Sequence, residues 1–275
     1  MVKMTNVRLY IIYQIKFQKG FEPMKSKSRF HPVKLFLLFA VIAIIALIIM
    51  LFLTQTTNRI KGSQSDTTTQ DTTTPPPNVT IIIDAGHGGE DGGAVGVNGV
   101  YEKDLNLDIA TKLAAMLTEK NITVVMTRTE DLMLYDINDT STKKKTQDLV
   151  NRLKIATQYD NAVFVSIHMN SFPVEKYSGA QVYYSKNNPD SARLATEIQT
   201  AIKILQPEND RQTKIADNSI YLLDRLNCPA VIAECGFLTN YAECEKLSTD
   251  TYRTQIAEAL FDAICKYVEE VNETS

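Results

Sequence analysis

Two apolar patterns divide the chain. Leu35 to Leu53, LFLLFAVIAIIALIIMLFL, runs for 19 residues without a charged or polar side chain, long enough at about 1.5 Å per residue to cross a bilayer's hydrocarbon layer as a helix. From residue 78 onward the pattern is short and periodic. Val79 to Asp84 (VTIIID), Thr123 to Met126, Ala162 to Ile167 (AVFVSI), Ala180 to Ser185 (AQVYYS) and Ala230 to Glu234 (AVIAE) are β-rich runs. Helical stripes lie between and after them: Leu105, Ile109, Leu113, Met116 and Leu117; Leu149, Leu153 and Ala156; Ala195, Ile198, Ile202 and Leu205; and Ile256, Leu260, Ile264 and Tyr267. This alternation predicts an α/β fold, a mainly parallel twisted sheet of about six strands with helices on both faces, preceded by one N-terminal transmembrane helix. No internal repeat is visible.

Charge orients the apolar run. Residues 1–34 carry eight Lys or Arg against one Glu, so the positive-inside bias keeps them cytoplasmic and sends everything after Leu53 outward. A cleavable signal peptide would have an apolar region of about 7 to 15 residues ending at small residues, whereas this one ends Leu-Phe-Leu-Thr. Met24 opens a compact basic flank, MKSKSRFHPVK, which makes it an alternative start to Met1. Residues 54–77 hold nine Thr and end in three Pro, too little apolar surface to offset their ordering entropy. They read as a tether spanning roughly 27 Å when relaxed and about 80 Å when pulled straight. The predicted organisation is a cytoplasmic segment over 1–34, an anchor over 35–53, a Thr/Pro-rich linker over 54–77 and an extracytoplasmic catalytic domain over 78–275.

That last domain has 19 basic and 29 acidic side chains, a formal charge of −10. The balance argues against nucleic acid held by bulk electrostatics and points to partners met at a local site. All four cysteines, 228, 235, 244 and 265, lie in the last 48 residues without CxxC spacing. They read either as buried free thiols or as an extracytoplasmic disulfide, which a domain of this size does not need.

The chemistry-bearing residues collect after strands, where open α/β sheets place their ligands. His87 follows VTIIID, His168 follows AVFVSI and Glu234 ends AVIAE. A lone histidine at a strand end is more often a hydrogen-bonded structural residue, but here both histidines of the domain occupy equivalent positions. Two imidazoles with a carboxylate suit a divalent metal, zinc first. Glu102, 15 residues after His87 at the start of EKDLNLDIA, is one candidate for the third ligand; Asp84, Glu90, Asp91 and Asp104 are others, and an acid in a first helical turn is common merely as a partner of the helix dipole. Gly86, Gly88 and Gly89 let the backbone turn tightly beside a ligand. The same glycines do not form a phosphate loop, since neither GxxxxGK[ST] nor GxGxxG is present. Cys235 is a possible thiol nucleophile, but its place between a strand and Gly236-Phe237 reads as core.

As a set, IIIDAGHGGEDGGAVG, YEKDLNLDIA, VVMTRTED, VFVSIHMNS, SGAQVYY and AVIAECGFLTN resemble the zinc-dependent N-acetylmuramoyl-L-alanine amidase family of the amidase 3 type, in that family's order over Ile81 to Asn240. The resemblance implies that His87, Glu102 and His168 bind one zinc and that Glu234 is the catalytic carboxylate; Cys235 stands where relatives are usually apolar. The single anchor, the absence of wall-binding repeats and the run DNSIYLLDRLNCPAVIAE are similar to the anchored amidases of spore-forming bacteria that act on cortex peptidoglycan and take part in making muramic δ-lactam. Some relatives carry an inhibitory helix over the site, and the interval from His168 to Glu234 leaves no obvious room for one.

The implied reaction is hydrolysis of the amide between the lactyl group of N-acetylmuramic acid and L-alanine, with Glu234 carrying the proton. Asn170 and Arg128 are candidates for orienting substrate or bracing loops. The expected partners are peptidoglycan and the membrane, with an activating protein left open. Rival readings are a vegetative cell-wall amidase, a metallopeptidase cutting within the stem peptide, and a catalytically silent wall- or partner-binding module on the same fold.

Overall fold

A computed structural model describes residues 79–138 and 142–274, all within the unit Thr73–Ser275. The predicted cytoplasmic segment, anchor and linker lie outside the described residues. Among the described residues no helix is long and apolar enough to cross a membrane.

Six strands form one sheet: β1 (Thr80–Ala85), β2 (Thr123–Met126), β3 (Ala162–Asn170), β4 (Gln181–Tyr184), β5 (Lys214–Ile215) and β6 (Ala230–Phe237), in the order β2-β1-β3-β6-β4-β5. β2, β1, β3 and β6 pair in parallel, and β4 runs antiparallel to β6 with β5 parallel to β4. The reversal has a local cause. Parallel neighbours need a crossover, usually helical, whereas the β3–β4 connection is a short loop and β6 is inserted between the two strands later.

The helices are α1 (Glu102–Glu119), α2 (Lys144–Ala156), α3 (Asp190–Leu205), α4 (Tyr221–Arg225), α5 (Tyr241–Leu247) and α6 (Asp250–Thr274). Alternating strand residues feed two cores. Ile81, Ile83, Val165, Ile167, Val231 and Ala233 pack with the stripe positions of α1, α3 and α6, among them Ile109, Leu113, Ile198, Ile202, Leu260 and Ile264. On the other face Ile82, Phe164, Ala230 and Ile232 meet Ala156 of α2 and Leu222, Leu223 and Leu226 around α4. The smaller second core stops short of the strands' carboxyl ends, and that is where polar side chains take over.

Two strands run further than their apolar patterns predict. β3 continues through His168 to Asn170 and β6 past Glu234 to Phe237, so His168 sits inside a strand rather than just beyond it and Glu234 lies within its strand rather than at its end. Backbone pairing overrides side-chain polarity there: His168 is in register with Glu234, followed by a register shift before Asn170 pairs with Phe237.

Candidate active site

Four segments build the site on the second face, at the carboxyl edge of the sheet. β1 leads into the loop carrying His87, which takes a left-handed backbone (φ 61°) that non-glycine residues seldom adopt. β3 and β6 supply His168 and Glu234 as cross-strand neighbours. The loop after His87 returns through a bridge between Val95 and Tyr101 and starts α1 at Glu102, a residue only 3% exposed.

Glu102 lies between the two imidazoles. Its Oε2 is 3.2 Å from His87 Nε2, and its Oε1 is 2.9 Å from His168 Nδ1. The backbone N–H groups of Ala94 (2.7 Å) and Met169 (3.1 Å) donate to the same carboxylate and fix its plane. Two glycines make the space. A side chain at Gly86 would put its Cβ 2.3 Å from the His168 ring, and one at Gly93 (φ 66°) would lie 2.5 Å from Glu102 Oε2 and 2.7 Å from His87 Cδ2.

The ligand atoms of His87, Glu102 and His168 all lie within 4.8 Å of one another. Their contacts of 2.9 and 3.2 Å are close to the roughly 3.3 Å edge of a tetrahedron with bonds of about 2.0–2.1 Å. Two neutral imidazoles and one carboxylate form a donor set that zinc favours. His87 Nδ1 is 3.0 Å from Asp91 Oδ2, the outer carboxylate that orients a metal-binding histidine. The residues present therefore fit the ion.

Electrostatics separates the two glutamates. Burial opposes ionisation of Glu102, but hydrogen bonds from His168 and His87 hold its carboxyl far below the usual range. Burial pushes Glu234 up to about 7; the His168 charge opposes that rise and Glu102 adds to it. Burial disfavours the charged form of His168, yet its bond to Glu102 raises its pKa overall. Glu234 Oε2 is buried with no hydrogen-bond partner. A buried polar atom left in this way is costly unless something else is meant to meet it.

The remaining acids near His87 are otherwise engaged. Asp84 bonds Arg152 (2.6 Å), Ser166 (2.5 Å) and Thr127 (2.7 Å), and Glu90 pairs with Lys144 at the surface. Asp91 orients His87, and Asp104 is exposed. Cys235 is fully buried on the opposite face and its thiol is pushed up by burial, so it is a core residue. All four cysteines are free thiols. Asn170 lies two residues beyond His168 at the end of β3. Arg128 is buried and donates to the carbonyls of Ala85, Gly86, Lys103 and Glu130, which makes it a brace for the loop after β1.

Sequence reading missed Arg152. This buried residue of α2 bonds Asp84, Asp148, the Ala85 carbonyl and the His87 carbonyl (2.6 Å), holding the strained histidine from behind. The Asp148–Arg152 spacing of four, beside the stripe of Leu149, Leu153 and Ala156, was the available signal.

Beside the imidazoles a cavity of about 210 Å³ opens among Gly86, His87, Asp91, His168, Arg152 and Tyr221. A larger one of about 630 Å³ lies at the opposite edge, among Val79, Ala162, Cys228 and Tyr267. His87 and His168 line the smaller cavity, and among the described residues no other group of three such side chains that could hold a metal ion occurs.

Fold and site together define an α/β hydrolytic domain with a His–Glu–His set and a separate buried carboxylate at the sheet's carboxyl edge. Residues 81–266 match the Amidase_3 family, N-acetylmuramoyl-L-alanine amidase, and the chain belongs to it. The CwlD amidase of Clostridioides difficile, solved in complex with the GerS lipoprotein, is similar at 42% identity with a TM-score of 0.66, covering 69% of this chain and 98% of that one. The germination-specific N-acetylmuramoyl-L-alanine amidase of Bacillus subtilis (strain 168) is 33% identical over 194 residues, 69% of this chain and 80% of the relative. The catalytic domain of CwlV from Bacillus (Paenibacillus) polymyxa var. colistinus matches at 30% identity with a TM-score of 0.60, over 69% of this chain and 98% of that one. The protein is thus a peptidoglycan amidase.

Proposed function

We propose that the chain is a zinc-dependent amidase that cuts the bond between the lactyl group of N-acetylmuramic acid and the L-alanine of the stem peptide. The observation that carries this reading is the meeting of His87, Glu102 and His168 around one point with the unsatisfied Glu234 Oε2 beside them. Zinc held by those three residues would supply Lewis acidity to the scissile carbonyl and lower the pKa of water toward about 7.

The protein's own groups do the rest. Glu234, with its carboxyl pushed up to about 7 by burial, is suited both to accept the proton of the attacking water and to return it to the departing L-alanine nitrogen. Asp91 keeps His87 in the tautomer that presents Nε2 to the site. Arg128 and Arg152 keep the loop after β1 from relaxing.

The relatives and the N-terminal sequence support a particular biological setting. Similarity to a germination-specific amidase and to CwlD supports a role in spore cortex maturation with muramic δ-lactam formation. The lipoprotein bound to CwlD supports a protein partner for this chain as well. Residues 35–53 would anchor the chain, with the catalytic domain on the extracytoplasmic side, in the cell envelope or the forespore intermembrane space.

Mass spectrometry of purified cortex and vegetative sacculi, digested with and without added zinc, tests the reading. Zinc-dependent release of intact stem peptides, leaving denuded glycan, is expected, with cortex the better substrate. Shortened stems would instead indicate a peptidase, unchanged wall a binding module, and equal release from vegetative wall a general amidase.

A further inference from the structure

Most basic side chains near the site are already committed. Lys103, Lys144 and Lys145 pair with Asp131, Glu90 and Asp91, Arg152 with Asp84 and Asp148, and Arg128 spends its donors on backbone carbonyls. Arg211 differs. Its Nε donates to the Ser178 carbonyl (2.7 Å), its Nη1 to Gln181 Oε1 (3.3 Å), and its guanidinium lies 4.7 Å over the ring of the buried Phe237. Among the described residues no carboxylate lies within ion-pair distance of it, and the residue is only half-buried. Its hydrogen bonds go to neutral partners and none is made by Nη2, while the Glu243 carboxylate interacts with it only from beyond ion-pair distance.

Its position relates it to the reaction. Gln181 is the β4 register partner of Glu234, as His168 is on the β3 side. His168, Glu234 and Gln181 therefore form a row across one face of the sheet, and Gln181 fixes Arg211 at the row's end. With strands about 4.8 Å apart, Gln181 is roughly 10 Å from the imidazole side of the row. An extended peptide advances about 3.3–3.6 Å per residue, so a peptide running from the imidazoles toward β4 would carry its second residue about 7 Å along the row, leaving about 3 Å, one hydrogen-bond length, to a guanidinium there. Phe172 (47% exposed) and Tyr177 (39% exposed) stack edge-on at 5.0 Å, and Tyr177 lies 6.4 Å from Phe237, giving that corner an apolar wall.

We infer that Arg211 is a carboxylate-binding residue, recognising a free carboxylate on the second residue of the peptide released from the scissile amide; the inference rests on the amidase reading. A planar guanidinium already fixed on two sides offers its remaining donors to a carboxylate at little ordering cost. In a domain carrying a formal −10, it also gives an anionic peptide a local counter-charge.

The test uses the zinc-loaded full chain and two synthetic N-acetylmuramoyl peptides that differ only in a carboxylate or a carboxamide on the second residue. The wild type is expected to favour the carboxylate by about 10- to 100-fold in kcat/KM. Arg211→Gln should remove that preference while keeping the carboxamide rate within about 3-fold of wild type, and Arg211→Lys should retain part of the preference. A proportional fall on both substrates in the Gln variant, with Lys showing no preference, would make Arg211 a loop brace and overturn the inference. Equal cleavage of both substrates by the wild type would overturn it alone; cleavage of neither would overturn the amidase reading and the inference with it.

Discussion

Replacing Arg152 by Met tests whether a buried ion cluster holds the site's strained loop. Met preserves much of the side-chain stem but leaves Asp84 and Asp148 without their cation. Burial pushes the Asp84 carboxyl up, and Arg152, Ser166 and Thr127 more than reverse this, bringing it from 3.8 to about 2. That difference corresponds to roughly 2–3 kcal/mol of stability. Stranding two buried carboxylates raises the expected loss at pH 7 to about 3–5 kcal/mol. A carboxyl depressed in the folded state stabilises fully above its unfolded pKa of 3.8, and that contribution fades as pH falls toward about 2. Urea denaturation of wild type and Arg152→Met at pH 7 and near pH 3 should therefore show a large gap that narrows in acid. A loss below about 1 kcal/mol at pH 7, or one of equal size at both pH values, would refute the reasoning.

The sheet and its two helical layers were legible because Ile81–Ile83, Val163–Ile167 and the i, i+4 stripes of α1, α3 and α6 are buried almost throughout, so pattern and packing agree. β5 was not legible, since Lys214 and Ile215 are exposed and only two residues long. The five-residue α4 carries too few turns for a periodic signal. The reversed direction of β4 left no trace in QVYY, because direction is set by its short connection and by the later insertion of β6. At the site, His87 and His168 stood out by being the domain's two histidines after strands. By spacing alone Glu102 did not stand apart from Asp84, Glu90, Asp91 and Asp104; the family resemblance singled it out, and the fold-back of the loop between Gly93 and Tyr101 is the physical reason it meets the imidazoles. Arg211 acts through Gln181, 30 positions away, and Arg152 on His87, 65 positions away; of these contacts no local spacing gives a sign, the i, i+4 pair with Asp148 being the one local trace of Arg152.

Two further substitutions probe the cradle. Gly93→Ala places a methyl group 2.5 Å from Glu102 Oε2 at a φ of 66°; zinc affinity by chelator competition is expected to fall at least about 10-fold, with near-wild-type affinity the contrary result. Asp91→Asn removes the carboxylate charge that faces His87 Nδ1 and should weaken zinc binding by about 10- to 100-fold while leaving the fold's circular dichroism unchanged; unaltered affinity would show that Asp91 does not orient the ligand.

The central claim is that His87, Glu102 and His168 hold the metal while Glu234 moves the proton, so the direct measurement is zinc content and turnover of Glu234→Gln on the same preparation. One zinc per chain should remain, with release of stem peptide from peptidoglycan reduced about 10²- to 10⁴-fold. Full turnover in that variant, or loss of zinc along with activity, would contradict the account.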